Sequence, residues 1–273
     1  MEMEIPNYVK SIMGKLEAYG YETYIVGGAI RNILLNKKPK DYDISTSATP
    51  DEIEEVFSDY KTIGIGKKFG TIVVSQREGD VEITTFRKEG NYIDGRRPEW
   101  ISFSNNIIED LSRRDFTINA MAYNVETGLV DPFGGKEDLE KRLIKTVGNA
   151  EERFQEDYLR ILRAVRFSTE YKFSIEENTF KAGKKYAYNI INVSEERIRE
   201  EFFKILLSDT PSNGIIILEK IGILDIILTE LVDTIGFDQK NPHHEKELYE
   251  HILCVLDNVE PILNLRLAAL FHD

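Results

Sequence analysis

The stretch Tyr24-Ile25-Val26-Gly27-Gly28-Ala29-Ile30-Arg31 predicts a strand that turns tightly into a helix. Its first residues favour a strand, and the two glycines permit a backbone conformation and a close approach that other residues resist. Backbone N–H groups at such a turn form a natural seat for phosphate. We therefore expect a phosphate-binding turn at Gly27 and Gly28, with Arg31 on the helix that follows.

Two carboxylates come within one short connection, in the sequence Asp41-Tyr42-Asp43-Ile44. Alternate side chains of a strand share a face, so Asp41 and Asp43 are predicted to point the same way. Together they would bind a divalent metal ion that bridges a triphosphate to an attacking hydroxyl. An Asp-x-Asp tripeptide by itself more often marks a solvated loop, but the nearby glycine pair and Arg31 favour the metal site.

The composition excludes several classes of protein. The chain has 273 residues, of which 41% are hydrophobic and 30% charged, so it can bury a sizeable core and is not a disordered chain. No apolar stretch approaches the roughly 18 residues of a membrane span, and the start Met1-Glu2-Met3-Glu4 is unlike a secretory signal, so a cytoplasmic protein is expected. The single cysteine, Cys254, leaves no intrachain disulfide to form and is predicted to be a small apolar filler.

The charge balance bears on nucleic acid as a partner. A formal net charge of −13 argues against a protein that coats nucleic acid indiscriminately, because non-specific affinity comes from the neutralisation of phosphates. An RNA substrate stays compatible with this charge if basic residues line one cleft. The candidates for that lining are Arg96-Arg97, Arg113-Arg114 and the arginines from Arg160 to Arg166.

Periodicity predicts an α+β fold, in which a mixed sheet with flanking helices precedes an all-helical region. Helices are expected over residues 8–19 and 51–57, the second with a capping box. Residues 71–75 and 81–86 alternate as two antiparallel strands. Beyond Lys136 we expect only helices.

Glu82 lies on the second of these strands and has two possible roles. It would be a third carboxylate if its strand runs beside Asp41 and Asp43. Alternatively, it would form a cross-strand ion pair on an exposed face. The spacing leaves both alternatives open.

One predicted helix in the second half carries a periodic charge pattern. Within residues 155–167, charged side chains recur every third residue beside an apolar stripe, at Asp157, Arg160, Arg163 and Arg166. An ordinary solvated helix with an internal Asp–Arg pair has this pattern. A helix that reads a base has it too, since a carboxylate accepts from an exocyclic amino group and a guanidinium donates to the adjacent ring nitrogen. That combination fits cytosine and adenine and mismatches guanine and uracil.

Four motifs resemble those of the class II tRNA nucleotidyltransferases, the bacterial CCA-adding enzymes, which share a DNA polymerase β-type head with bacterial poly(A) polymerases. They are Gly27-Gly28…Arg31, Asp41-x-Asp43, Arg113-Arg114-Asp115-Phe116-Thr117-Ile118-Asn119-Ala120-Met121 and Glu156-Asp157-x-x-Arg160-x-x-Arg163. The resemblance implies a nucleotidyltransferase head over residues 1–140, a helical neck with the base-reading helix over 141–205, and a helical body over 206–273.

The resemblance also implies residue roles. Asp41 and Asp43 would ligate Mg²⁺ and activate the RNA 3′-hydroxyl, and Glu82 looks like the third carboxylate. The residues implied around the triphosphate and the ribose are Gly28, Arg31, Arg114 and Asp115. Asp157 and Arg160 would read the incoming base, with support from Arg163 and Arg166. In the family an aspartate usually follows the arginine of the glycine motif, whereas Asn32 stands there in this sequence.

The end of the chain resembles the opening of an HD metal-dependent phosphohydrolase domain, with His251 and His272-Asp273 as ligands. That motif needs a further aspartate downstream. We therefore expect a truncated HD-like C-terminus with an incomplete metal centre. Phosphate release that depends on these histidines would reveal such an activity.

The functional prediction is Mg²⁺-dependent addition of CMP and AMP, from CTP and ATP, to the 3′ end of tRNA, with release of pyrophosphate. An enzymatic alternative is A-only addition, by a poly(A) polymerase or an A-adding enzyme, because the Asp–Arg pair accepts both nucleotides. A non-catalytic RNA-binding remnant is the alternative from another class. The expected partners are tRNA, ATP and CTP, without a membrane, and the sequence predicts no oligomeric state.

Overall fold

The computed structural model describes residues 3–90, 100–237 and 247–272. Two sequence-based candidates, the pair Arg96-Arg97 and Asp273, lie outside the described residues. The described chain divides into two compact units. The first holds residues 3–90, 100–141 and 145–148, and the second holds residues 142–144, 149–237 and 247–272.

The first unit is built on a seven-stranded mixed sheet. In spatial order its strands are β3 (Lys61–Ile63), β4 (Thr71–Ser75), β5 (Asp80–Thr85), β2 (Asp43–Thr46), β1 (Thr23–Val26), β8 (Ala122–Asn124) and β9 (Gly128–Val130). β2 and β5 run parallel, and the other neighbours in this sheet are antiparallel. Ile25, Ile44 and Ile83 are fully buried on its central strands. The predicted mixed sheet and its antiparallel pair β4–β5 are confirmed.

Helices α1 (Asn7–Ala18), α2 (Gly28–Leu34) and α3 (Pro50–Val56) pack against this sheet. α1 buries its predicted apolar stripe, whose members are Val9, Ile12, Met13 and Leu16. α3 begins with the predicted capping box, in which the Thr49 hydroxyl accepts the N–H of Glu52 and the Glu52 carboxylate accepts the N–H of Thr49. The apolar period therefore predicted the buried face of α1, and the cap predicted the start of α3.

The segment after β5 leads from the sheet into the predicted Arg-Arg-Asp motif. β6 (Arg87–Glu89) and β7 (Ile101–Phe103) form a separate antiparallel pair, followed by α4 (Ile107–Ser112). A single 3₁₀ turn at Thr117–Asn119 then enters β8, and α5 (Gly135–Glu140) covers it. A Cβ atom on Gly135 would stand 2.2 Å from the Thr117 carbonyl oxygen, so the turn packs directly on α5.

The second unit is mainly helical. Its helices are α6 (Ala150–Glu156), α7 (Leu159–Tyr171), α8 (Glu177–Tyr186), α9 (Glu195–Leu206), α10 (Pro211–Ile221), α11 (Leu224–Ile227), α12 (Thr229–Val232), α13 (Leu248–Asn258) and α14 (Leu263–Leu270). This confirms the predicted helical region with one difference, because β10 (Leu143–Ile144) and β11 (Ser174–Ile175) form a parallel pair. Two residues are too few to show strand alternation in a sequence. None of the helices in the described residues is long and apolar enough to cross a membrane.

Cys254 differs from its prediction. Its side chain is exposed on α13 and is not an apolar filler. Leu253 and Leu256 on the same helix are buried, at 8% and 0% exposure. The helical period therefore turns residue 254 towards solvent while its neighbours face the core.

Candidate active site

The predicted phosphate-binding turn lies at the carboxyl end of β1. Gly27 has a φ of 67°, in the left-handed region that favours glycine, and α2 begins at Gly28. A Cβ atom on Gly27 would stand 2.8 Å from Nη1 of Arg114. The backbone conformation therefore favours glycine at this position, and a larger residue would also displace the Arg114 guanidinium. The turn also brings Arg114, from a distant part of the sequence, next to the start of α2.

Arg31 is held on α2 by a relay of amide and carboxylate groups. Its Nη1 donates to Oδ1 of Asn119, and Nδ2 of Asn119 donates to Oδ1 of Asp115 at 3.0 Å. The same Asp115 oxygen accepts the N–H of Phe116 at 2.8 Å. Arg31, Asn119 and Asp115 are all buried. Because Nη2 of Arg31 would lie 3.5 Å from a Cβ on Gly28, the relay fixes a guanidinium beside the glycine turn.

Two asparagines in this region were not assigned roles from the sequence. Asn119 appeared only as a letter of the Arg-Arg-Asp motif, although a polar residue inside an apolar run is a signal that it has a buried partner. Asn32 stands where the resemblance implies an aspartate, and its Oδ1 accepts from Nη2 of Arg31 at 3.4 Å. Both asparagines therefore contact the guanidinium of Arg31.

Asp110 on α4 anchors the two arginines that follow it. Its carboxylate is fully buried and accepts from Nε and Nη2 of Arg113, at 3.0 and 2.7 Å, and from Nη2 of Arg114 at 3.3 Å. Oγ of Ser45 on β2 lies 3.3 Å from the same carboxylate and donates to it. Burial acts to raise the pKa of Asp110, but the attraction of Arg113 and Arg114 outweighs it, so this pKa lies below its ordinary value. An ionised Asp110 therefore holds Arg114 against Gly27.

The predicted carboxylates lie around the start of β2. Asp43 is the first residue of that strand and pairs with Val26 on one side and Glu82 on the other. Asp41 precedes the strand, so the prediction that both aspartates stand on it is right for Asp43 alone. The pKa of Asp43 is raised to about 6, first by the desolvating protein around it and then by the like charges of Asp41 and Glu82, while Arg114 acts to lower it. The Asp43 side chain stays exposed, so a cation can reach these crowded charges.

Glu82 does not form the cross-strand ion pair that the spacing left open. The residue opposite it on β4 is Val73. Across the described ranges, no lysine or arginine lies within ion-pair distance of the Glu82 carboxylate. Its role as a third carboxylate beside Asp43 remains a prediction.

The chemistry of these side chains fits Mg²⁺ and a phosphate-bearing ligand. Mg²⁺ prefers oxygen ligands and commonly binds through one or two carboxylates, substrate phosphates and water. This matches the carboxylates of Asp41, Asp43 and Glu82, which do not form a closed cage, since no three His, Cys, Asp or Glu side chains of the described residues converge as metal ligands. The buried Nε of Arg114 has no hydrogen-bond partner in the described part of the chain and is a donor available to an anion.

Asp157 lies in a break between two helices. α6 ends at Glu156, Asp157 has extended backbone angles of −152° and 106°, and α7 begins at Leu159. Oδ1 of Asp157 accepts the N–H of Leu159 at 3.1 Å, and its Oδ2 accepts from Nη2 of Arg197 at 2.7 Å. The prediction of one continuous helix over residues 155–167 is wrong, because this aspartate bonds to the backbone locally and caps the next helix.

Arg160 pairs with Glu156 rather than with Asp157. Its Nη1 donates to Oε2 of Glu156 and to the carbonyl of Arg153, the latter at 3.1 Å. Its side chain is only 10% exposed. The alternative of an internal Asp157–Arg160 pair is therefore wrong, and each of the two proposed base-reading side chains has a protein partner of opposite charge.

Glu201 on α9 lies within ion-pair distance of the remaining arginines of α7, Arg163 and Arg166. Its Oε2 accepts from Nε of Arg166 at 2.5 Å, and its Oε1 lies 3.9 Å from Nη1 of Arg163 and 3.2 Å from Nζ of Lys204. Burial acts to raise the pKa of Glu201, but Arg166 and Arg163 outweigh it and the pKa is lowered. Arg197 and Glu201, one turn apart, thus hold the charged residues around α7, and neither was predicted.

The two histidines at the end of the chain lie side by side in the second unit. Their Nε2 atoms are 3.2 Å apart, and Nδ1 of His272 is 2.8 Å from the carbonyl oxygen of Ala269. Asp273, the third residue of the expected HD motif, lies outside the described residues. The incomplete HD centre therefore remains a prediction that rests on His251 and His272.

Two known protein families match the chain. The Poly A polymerase head domain matches residues 23–145. The probable RNA and SrmB-binding site of polymerase A matches residues 172–234. The first match contains the glycine turn, the three carboxylates and the Asp110 cluster, and the second contains α9.

Curated relatives of the chain include CCA-adding enzymes. That of Staphylococcus haemolyticus is 46% identical over 214 residues, which are 78% of this chain and 53% of the relative. That of Geobacillus thermodenitrificans is 45% identical over 212 residues, or 78% of this chain and 52% of the relative. The chain thus spans about half the length of the curated relatives it matches.

Solved structures of CCA-adding enzymes have the same fold. The Bacillus stearothermophilus enzyme in complex with CTP is 34% identical, with a TM-score of 0.76 over 96% of this chain and 66% of that one. The Thermotoga maritima enzyme complexed with tRNA is 25% identical, with a TM-score of 0.75 over 100% of this chain and 65% of that one. These likenesses extend over both units.

Proposed function

Because the chain belongs to the family of nucleotidyltransferases that carry the poly(A) polymerase head domain, we propose that it adds CMP and AMP to the 3′ end of tRNA. The donors are CTP and ATP, and pyrophosphate is released. The observation that carries the proposal is that the glycine turn and the anchored Arg31 and Arg114 lie at the carboxyl end of β1, where Val26 is paired with Asp43 and Asp43 with Glu82. Since tRNA is the proposed substrate, we also propose the cytoplasm as the location.

The proposed reaction is a displacement at phosphorus. The oxygen of the RNA 3′-hydroxyl forms a bond to the α-phosphorus of the nucleotide, and the hydroxyl proton is released to solvent. The bond from the α-phosphorus to the oxygen that bridges to the β-phosphate breaks, and pyrophosphate leaves. When bound by Asp41 and Asp43, Mg²⁺ supplies positive charge that stabilises the phosphates and activates the hydroxyl.

The protein contributes mainly by holding charges in place. The backbone of Gly28 and the guanidiniums of Arg31 and Arg114 bind the triphosphate. Asp115 acts as a positioning residue in our proposal, since it reaches Arg31 through Asn119. Neither arginine needs to be ordered when the nucleotide arrives, because both are already held by buried carboxylate or amide oxygens.

Residues of the second unit select the base in this proposal. Asp157 accepts from the exocyclic amino group of cytosine or adenine, and Arg160 donates to the adjacent ring nitrogen. Arg163 and Arg166 keep α7 in place through Glu201. A base that binds here exchanges places with part of the Asp157–Arg197 or Arg160–Glu156 contacts.

The test is incorporation of single labelled nucleotides into tRNA that lacks its CCA end. The purified 273-residue chain is expected to incorporate CMP first and AMP after it, and Asp41→Ala should abolish both. AMP addition without CMP addition would instead support an A-only enzyme, which the match to a Poly A polymerase head domain makes the second candidate. RNA binding without incorporation, unchanged in Asp41→Ala, would show a non-catalytic remnant.

A further inference from the structure

A groove of about 780 Å³ lies in the first unit, between the beginning of the chain and the connection from α2 to β2. Its lining combines lysines with an apolar floor and includes Lys10, Lys37, Lys38, Ile33, Pro39 and Tyr42. One acidic residue, Glu4, also lines it. None of the groups assigned above to the nucleotide or to Mg²⁺ belongs to this lining.

The arginines at positions 113–114 and 160–166, which the sequence offered as an RNA-binding surface, lie beside acidic residues. Arg113 and Arg114 share the buried carboxylate of Asp110, and Arg166 bonds to Glu201. A cation whose charge is balanced at short range adds little to the attraction of a phosphate backbone. Because the net charge is −13, cations without an acidic partner would contribute most to the attraction of RNA.

The groove supplies such charge. Lys10 and Lys38 are exposed, and neither forms an ion pair with a carboxylate among residues 3–90, 100–237 and 247–272. Lysine side chains are long and flexible, and their ammonium groups are strongly hydrated. These properties suit contacts with phosphates rather than with one fixed partner. The apolar floor can accept the less polar face of a ribose or base beside those phosphates.

The groove is also close to the proposed reaction centre. Lys38 precedes Asp41 by three residues, and three residues of extended chain span at most about 11 Å. Tyr42 is buried on the groove side, whereas Asp41 and Asp43 on either side of it are exposed. One short segment therefore separates the groove from the carboxylates.

From this charge complementarity and this short distance, we propose that the groove binds the sugar–phosphate backbone of the acceptor RNA immediately before its 3′ end. Lys10 and Lys38 contact its phosphates. The inference rests on the function proposed above, because an RNA 3′-hydroxyl that reaches Asp41 brings its preceding phosphates to the groove. It adds the position of the RNA to that function.

The test compares two double variants that change the net charge equally. Lys10→Glu/Lys38→Glu alters the groove, and Lys61→Glu/Lys68→Glu alters exposed lysines on β3 and the turn before β4, outside the groove. Direct binding of tRNA lacking CCA is measured without nucleotide, by fluorescence anisotropy at several salt concentrations. Incorporation at saturating RNA then gives the KM for CTP, and thermal unfolding confirms that both variants are folded.

The groove variant is expected to bind tRNA at least about tenfold more weakly, with a salt slope reduced by about 2, because two phosphate contacts are lost. Its KM for CTP should change less than about twofold by the same reasoning. The control variant Lys61→Glu/Lys68→Glu should lose less than about threefold in tRNA affinity, since it removes no proposed contact with RNA. Lys10→Gln/Lys38→Gln should be intermediate, because it removes the attraction without adding repulsion.

Three results from the variants would overturn the inference. They are an equal loss of tRNA affinity in both double variants, an unchanged affinity in the groove variant, and a rise in the KM for CTP without a loss of tRNA affinity. The last result would place the lysines on the nucleotide. Because binding is measured without catalysis, tRNA binding that depends on Lys10 and Lys38 but gives no incorporation would reject the proposed function and support the groove. An absence of tRNA binding by the unaltered chain would reject both.

Discussion

The charges around the glycine turn and those around α7 are organised in opposite ways. Beside the turn, the pKa of Asp43 is raised to about 6, first by the desolvating protein around it and then by the like charges of Asp41 and Glu82. Around α7, acidic groups are paired with arginines, and the pKa of Glu201 is lowered. The carboxylates at the first site have like-charged neighbours, whereas the acidic groups at the second are paired with arginines.

This difference determines how ligand binding would change the charge interactions at each site. A cation that binds beside the turn relieves an existing repulsion, so part of its affinity is stored in the folded protein. In the proposed role, a base would share Asp157 and Arg160 with the contacts that Arg197 and Glu156 already make. Such sharing would give selectivity at little net gain in affinity, because a wrong base would leave hydrogen-bonding groups of the site without partners.

The largest expected effect concerns the carboxylates beside the turn. The contrast between the two sites would be wrong if these carboxylates were not needed for activity. We expect Asp41→Ala and Asp43→Ala each to lower kcat for CMP incorporation by at least about 1000-fold, because the metal that stabilises the phosphates loses a ligand. The Kd for tRNA, measured by anisotropy, should stay within about twofold, since the RNA phosphates have their own contacts. Either variant that keeps more than about a tenth of the activity would contradict the proposed metal role.

A second test addresses the buried carboxylate of the first unit. Asp110→Asn leaves Arg113 and Arg114 without their shared anion, so we expect the free energy of unfolding to fall by about 3–5 kcal/mol. Urea denaturation measures it. Asp51→Asn, which removes the partner of an exposed lysine, is the control and should have little effect. Equal unfolding midpoints for the two variants would show that Asp110 is not an anchor.

A third test sharpens the comparison at α7. Arg197→Ala removes the guanidinium that orients the Asp157 carboxylate, so we expect kcat/KM for CTP to fall about tenfold and discrimination against UTP to weaken. Arg199→Ala, an exposed arginine on the same helix, is the matched control. Single-turnover incorporation of each nucleotide measures the change. Identical nucleotide preference in the two variants would separate Arg197 from base selection.

The smallest expected effect is a pH dependence of stability. The pKa of Glu201 is lower in the folded protein than its ordinary value of 4.5, so the stabilisation from its ion pairs is present above pH 4.5 and is lost as the pH falls through the folded pKa. Glu201→Gln should therefore flatten the decline in unfolding free energy below pH 4.5. Denaturation at a series of pH values checks this, and an unchanged slope would falsify the assigned ion pair.

Local signals in the sequence predicted much of the fold and part of the site. The glycine pair predicted the turn, and Thr49 with Glu52 predicted a helix start, because each feature involves neighbouring residues. Asp110 had a local signal that was overlooked, since a helical aspartate three and four residues before two arginines predicts ion pairs. The family resemblance added roles for residues whose spacing alone left alternatives.

The remaining site contacts join residues far apart in the chain. Arg31 and Asn119 are separated by 88 residues, and Asp157 and Arg197 by 40. No periodic pattern indicates such partners, because they meet only through tertiary packing. The break at Asp157 was missed for a related reason, since the charge period continues across it and conceals that one side chain caps a helix.

Because of the interruption between α6 and α7, the two proposed base-reading residues do not stand on one continuous helix. On one rigid rod, the separation between acceptor and donor would be fixed for every incoming nucleotide. Here Asp157 is tethered to α9 and Arg160 to the end of α6. The two side chains are therefore positioned by different helices, so a substitution that displaces α9 alters the position of Asp157, and one that displaces the end of α6 alters that of Arg160.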